Sequence, residues 1–285
     1  ADVIETIANV NLSIPLLKKT VSKTNACLAW GGSLGMAPAD DKLIRVERLL
    51  SLDPESQLIA SIMAKKLAVG SKYVLIDIPY GKEAKVSFDE AKKLRSKFEK
   101  VAKHFRLKLK VVLTDGSQPI GNGIGPVLEM KDVLKVLRRD NPPIDLEKKS
   151  IFLAGEILEM TGEIGKGRGQ NLALEILNSG KANKKFEEII KFQGRKNGSL
   201  KSAKFSHTIK AKSSGKIRSI SNKSINYLSR ILGCPADKSA GIYLYKHNSE
   251  KIFKSEPIAV LYSESKEKLK DGLNYFYNSK PILIK

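Results

Sequence analysis

Ser61 and Lys65 stand four residues apart in Ala60-Ser61-Ile62-Met63-Ala64-Lys65. On a helix that spacing places a hydroxyl and an ammonium on one face. Side by side they can grip a base carbonyl or a phosphate; a solvated surface pair is the plain alternative. Two turns earlier Asp53 opens the same segment in Asp53-Pro54-Glu55. An acid at the N-cap, a proline in the first turn and a further acid are an ordinary helix start. Helix N–H groups stabilise such a carboxylate, which works against its use as a proton donor. Lys85 follows the apolar run Tyr73–Pro79. Ligands of open α/β sheets collect beyond the carboxyl ends of the strands, yet Lys82 is three residues away, and alone Lys85 reads as a surface lysine. Two glycine clusters, Gly31-Gly32-Ser33 and Gly121-Asn122-Gly123-Ile124-Gly125, could present backbone N–H groups to an anion. Neither matches a nucleotide-binding fingerprint. His104, His207 and His247 are isolated in sequence. No metal-ligand spacing is visible, and no nucleophilic triad can be assembled.

These residues need elements to position them. The pattern predicts helical structure over 1–26 with a break at Pro15, a short buried strand over 26–30, and a helix from Asp53 to about Val69 with Leu58, Ile59, Ile62, Met63 and Leu67 as its apolar stripe. Tyr73–Pro79 reads as a parallel strand covered on both faces. Ser87-Phe88-Asp89-Glu90 has capping-box spacing and starts a helix to about 105. A strand over 107–114 completes a βαβ unit. A glycine-rich loop feeds a helix over 127–138, and helices follow at about 145–160, 168–178 and 181–193, with Gly180 between the last two. Beyond the linker 194–199 the texture changes. Short β-like runs at 207–211, 217–220, 241–245 and 258–262 are separated by Gly, Ser and Lys, and a helix covers about 266–277. The fold class expected is α/β: a parallel-sheet domain over 1–194 with a partial helical lobe at about 42–70, then a small β-rich (α+β) domain over 195–285.

The chain of 285 residues is 41% hydrophobic, ample for a core, and carries 51 Lys and Arg against 30 Asp and Glu, a net charge of +21. Such a field attracts anions, nucleic acid included. The lysines are dispersed, and no block is both basic and aromatic. A solvated lysine- and glutamate-rich surface is therefore favoured over nucleic-acid binding. No apolar run is long enough to span a bilayer, and no signal pattern opens the sequence. The two cysteines, Cys27 and Cys234, are expected to stay reduced and the protein to be cytoplasmic.

Taken in order, Trp30-Gly31-Gly32, Ala37-Pro38-Ala39-Asp40-Asp41, Asp53-Pro54, Ala60 to Lys66, Val74 to Pro79 and Thr114 to Gly121 resemble the thymidine and pyrimidine-nucleoside phosphorylase family, in its archaeal AMP phosphorylase branch. The resemblance extends over essentially the whole chain, more loosely at Pro257-Ile258-Ala259-Val260. It implies a helical lobe facing an α/β lobe across a cleft, with a β-rich domain behind. It implies phosphorolysis of AMP, and of CMP and UMP, to free base and ribose 1,5-bisphosphate, with inorganic phosphate as co-substrate and no cofactor. It also implies Asp53 as proton donor, Ser61 and Lys85 as nucleotide-binding residues and Lys65 as a contact to the base. The pyrimidine enzymes carry an arginine where this chain has Val46, with Arg45 and Arg48 displaced beside it, which argues against a strict thymidine enzyme. The family's main phosphate-binding loops precede the position matching Ala1. The chain starts without methionine, and Ile4, Ile7 and Ala8 fall at helical spacing. The expectation is a portion lacking its N-terminal part, inactive alone and homo-oligomeric when complete. The alternatives are a pyrimidine nucleoside phosphorylase, a basic nucleic-acid-binding protein and a non-catalytic assembly piece.

Overall fold

A computed structural model describes residues 1–35, 39–40, 42–43, 54–196 and 200–285. Asp53, Val46, Arg45 and Arg48 lie outside the described residues.

The first thirty residues differ from the sequence expectation in two ways. Helix α1 spans Ile14–Thr24, capped by Ser13, with Pro15 in its first turn. Proline thus starts the helix, since its missing N–H falls where no intrahelical partner exists. Before it there is only a 3₁₀ turn, Ile4–Thr6, and a bridge between Ala8 and Arg195. Residues 26–30 are not a strand. Their backbone is satisfied piecemeal: the Leu28 N–H donates to Gln193 Oε1 (3.0 Å), Gln193 Nε2 donates to the carbonyls of Leu28 (2.9 Å) and Asn9 (2.7 Å), and the Trp30 N–H donates to the Val10 carbonyl (2.9 Å). Gln193 is fully buried, so its amide supplies Leu28 with the partners a strand neighbour would otherwise give.

Helix α2 (Glu55–Ala68) precedes strand β1 (Tyr73–Tyr80), helix α3 (Phe88–His104) and strand β2 (Lys108–Asp115). The capping box at Ser87 and Glu90 forms as its spacing predicts. β1 and β2 run parallel, from Tyr73 opposite Lys108 to Tyr80 opposite Asp115. Side chains alternate across a strand. Val74, Ile76 and Ile78 accordingly point to one face and pack with Ile59 and Met63 of α2 and Leu94 and Phe98 of α3. Leu75 and Asp77 point to the other, toward a later helix. Strand β3 (Gly123–Ile124) leads into α4 (Pro126–Arg138), α5 (Ile144–Thr161), α6 (Gly169–Asn178) and α7 (Lys181–Phe192). α5 covers the Leu75–Asp77 face of β1.

The β-rich part contains β4 (Phe205–Lys210), β5 (Gly215–Ile220), α8 (Asn222–Leu232), β6 (Gly241–Leu244), β7 (Lys251–Ile252), β8 (Pro257–Ser263), α9 (Lys266–Ser279) and β9 (Ile282–Ile284). α8 is an element that the strand-like texture concealed. Ile225, Leu228 and Leu232 are spaced three and four apart and all buried, and Ser221 caps the start. Two antiparallel sheets, ordered β3-β6-β8-β4 and β7-β5-β9, enclose the core with α8 and α9. β3 comes from the glycine-rich loop, so that loop is itself a strand of the C-terminal sheet. The architecture is the expected one: α/β with a parallel pair, followed by a β-rich α+β lobe. Among the described residues no helix is long and apolar enough to cross a membrane.

Candidate active site

β1 and β2 end side by side, and the loops leaving them fold against each other. The Gly116 N–H donates to the Tyr80 carbonyl (2.8 Å), and Gly81 donates to Val86 (3.1 Å). A Cβ on Gly116 would stand 2.9 Å from Pro79 Cβ and 3.0 Å from Ala84 Cβ, so glycine is what allows the contact. Asp115 closes an Asx turn on the Ser117 N–H (2.9 Å). Asn222, at the start of α8, donates to the carbonyls of Glu83 (3.2 Å) and Gly116 (2.9 Å) and ties both loops to the C-terminal lobe.

Lys85, Lys149, Asp115, Gly116, Gln118 and Asn222 line the resulting recess, about 360 Å³ in volume. An adjoining one of about 310 Å³ is lined by Thr114, Asp145, Lys148 and Lys149 among others. Lys149 is held in place from below: its Nζ pairs with Asp77 Oδ2 (2.7 Å) and donates to Thr114 Oγ1 (3.0 Å), while the Thr114 hydroxyl donates to Asp77 Oδ1 (2.6 Å). Lys85, Lys148 and Lys149 stand at the carboxyl ends of the parallel strands, where ligands of such sheets collect, together with the carboxylates of Glu83, Asp115 and Asp145. The larger recess of the α/β half, about 750 Å³ between β1 and helices α4 to α7, is lined almost wholly by aliphatic side chains. It presents no charge to a phosphate.

Ser61 and Lys65 share a face of α2, as their spacing predicts, and both turn to Asp40. The Ser61 hydroxyl donates to Asp40 Oδ2 (2.9 Å). Lys65 Nζ pairs with the same oxygen (2.7 Å) and donates to Ser61 Oγ (3.3 Å), and Gln57 Nε2 donates to Asp40 Oδ1 (3.2 Å). Burial by itself would raise the Asp40 pKa. The hydrogen bonds from Lys65 and Ser61 and the Lys65 charge outweigh it and hold the carboxyl below its ordinary value. The Ser61 hydrogen is thereby committed to Asp40, and what Ser61 offers a ligand is a lone pair. Lys65 has three N–H donors, two of them used in these contacts, so the pair presents one acceptor beside one donor.

The structure brings Ser61 and Lys65 together at Asp40, places Lys85 apart from them in the loop recess at the strand ends, and Asp53 lies outside the described residues. Neither pocket at the strand ends is lined by Ser61 or Lys65. Sequence reasoning missed Asp40 as the hub of its cluster, and it missed Lys149, Asp77 and Thr114 altogether. His247 is not isolated: its Nε2 lies 2.9 Å from Asn122 Oδ1. Asn122 and His247 are 125 residues apart, and no local pattern announces such a pair.

Over the whole of its length the chain is 43% identical, across 289 aligned residues, to the AMP phosphorylase of Pyrococcus horikoshii. That similarity runs along the whole chain. The AMP phosphorylase of Methanococcus aeolicus aligns as completely, at 42% identity. A family profile described as the pyrimidine nucleoside phosphorylase C-terminal domain matches residues 216–282, the stretch from β5 to the first residue of β9. The chain spans 58% and 57% of the lengths of these two AMP phosphorylases. The resemblance read from the motifs is thus borne out along the full sequence, the C-terminal lobe included.

Proposed function

We propose that this chain binds a nucleoside 5′-monophosphate, AMP first, for phosphorolysis to the free base and ribose 1,5-bisphosphate. The observation that carries the reading is the lysine-lined recess at the ends of β1 and β2 in a chain 43% identical throughout to an AMP phosphorylase. Lys85 takes the 5′-phosphate. Ser61 and Lys65 take the base through one acceptor and one donor, an arrangement that CMP and UMP can meet as well as AMP. Inorganic phosphate attacks the anomeric carbon as the C–N bond breaks. The departing base needs a proton, which Asp53 supplies. A positioned acid contributes about a hundred- to ten-thousandfold. Asp53 must be protonated to act.

Turnover is read as phosphate-dependent release of adenine from AMP. In the complete enzyme, Asp53→Asn is expected to lower it about a hundred- to ten-thousandfold with AMP affinity nearly unchanged. An unaltered rate removes Asp53 from the role. A second reading, phosphorolysis of unphosphorylated pyrimidine nucleosides, is favoured by the family description of residues 216–282. Thymidine cleaved in preference to AMP would establish it.

A further inference from the structure

The glycine-rich loop beside the anion recess is braced by the C-terminal lobe. β3 pairs antiparallel with β6, Gly123 opposite Tyr243, and the Leu244 N–H donates to the Asn122 carbonyl (2.7 Å). Asn248 N–H donates to Gln118 Oε1 (2.7 Å). Asn122 is held at both ends of its amide: Nδ2 donates to Tyr243 Oη (3.2 Å), and Oδ1 faces His247 Nε2 (2.9 Å). An amide oxygen only accepts, so Nε2 carries the hydrogen. His247 Nδ1 is buried without a hydrogen-bond partner and lies 3.9 Å from Asp145 Oδ2. That same carboxylate oxygen accepts the Gly121 N–H (3.1 Å), and Asp145 heads the turn of α5 that leads to Lys148 and Lys149. On the other side Asp132, almost fully buried, accepts the N–H groups of Asn122 and Gly123, both at 2.7 Å. A Cβ on Gly123 would lie 2.5 Å from the Leu128 carbonyl carbon, so the loop cannot be re-spaced by a larger residue.

We infer that His247 is a positioning residue for the anion recess: through Asn122 it holds in place the 116–122 loop, whose Gly116 and Gln118 line that recess beside Lys85 and Lys149. It touches no ligand itself. The inference rests on reading the recess as the nucleotide-phosphate site.

The test compares His247→Ala with His247→Gln, whose amide N–H can stand where Nε2–H stood, and with Ile209→Val, a core change on β4, two strands away from β6. AMP affinity is measured by calorimetry. Backbone amide resonances of Gly121 and Gly123 report the loop directly. His247→Ala is expected to weaken AMP binding about fivefold, the equivalent of one neutral hydrogen bond, and to move both resonances. His247→Gln should restore both, and Ile209→Val should change neither. The proposal is overturned if His247→Ala binds AMP as the unaltered protein does, if His247→Gln is no better than His247→Ala, or if Ile209→Val weakens binding equally. If the unaltered protein binds no AMP, the phosphate-site reading fails by itself, and the two resonances alone decide whether His247 sets the loop.

Discussion

Two clusters in the α/β half are built from the same three chemical groups. In one, Asp40 is clamped by the Ser61 hydroxyl and the Lys65 ammonium; in the other, Asp77 by the Thr114 hydroxyl and the Lys149 ammonium. The ion pair is 2.7 Å in both. What differs is the frame. Ser61 and Lys65 come from a single helix face, and only Asp40 is brought from elsewhere. Asp77, Thr114 and Lys149 come from β1, β2 and α5, so the second cluster exists only once the sheet and its covering helix have assembled. The same chemistry thus serves two ends. On α2 the carboxylate fixes the polarity of a hydroxyl and an ammonium on one helix face. Under the sheet edge it steadies the ammonium of Lys149 beside the loop recess.

If that contrast is right, removing charge at the recess should hurt most. Lys85→Ala is expected to lower AMP affinity about ten- to a hundredfold, the range of a charge-assisted hydrogen bond, and to leave adenosine affinity unchanged. Equal losses for both ligands would show that Lys85 does not read the phosphate. Next in size is Thr114→Val, nearly isosteric but without the hydroxyl that bridges Asp77 and Lys149. It should cost about 1–2 kcal/mol of stability, measured by denaturant unfolding, because a half-buried carboxylate oxygen loses its donor. Ser61→Ala sharpens the other side of the comparison. It should weaken AMP and adenosine alike, about fivefold, since the base is common to both. A loss confined to AMP would place Ser61 at the phosphate instead.

The same contrast explains what the sequence made legible. The i, i+4 spacing of Ser61 and Lys65 is a local property, and it survived folding intact. So did the capping box at Ser87 and the βαβ alternation, because hydrophobic period and cap chemistry act within a few residues. Lys85 was singled out by the family resemblance, since the edge rule alone left it a surface lysine. Lys149 was invisible because α5 reads as a plain amphipathic helix until β1 lies beneath it with Asp77 facing outward. The early segment misled for a physical reason: in 26–30 an apolar run implied a strand, whereas the buried Gln193 amide satisfied the Leu28 backbone from 165 residues away. Helix α8 was lost among short β runs, since eleven residues flanked by strands carry few periods of evidence.

The smallest expected effect isolates the charge on Asp40. Its carboxyl is held below the ordinary range by Lys65 and Ser61 against the opposing pull of burial. A depressed folded-state pKa contributes stability that is present above the unfolded value, about 3.9, and is lost as pH falls through the folded one. Asp40→Asn keeps a single acceptor oxygen, enough for Ser61 or Gln57 but not for both at their separate positions, and gives Lys65 no counter-charge. The unaltered protein should therefore be more stable than Asp40→Asn near neutral pH, and the difference should shrink as acid protonates Asp40, measured as the gap in Tm across an acid titration. If the Asp40→Asn gap is flat with pH, the Lys65 pair is a geometric contact without electrostatic weight.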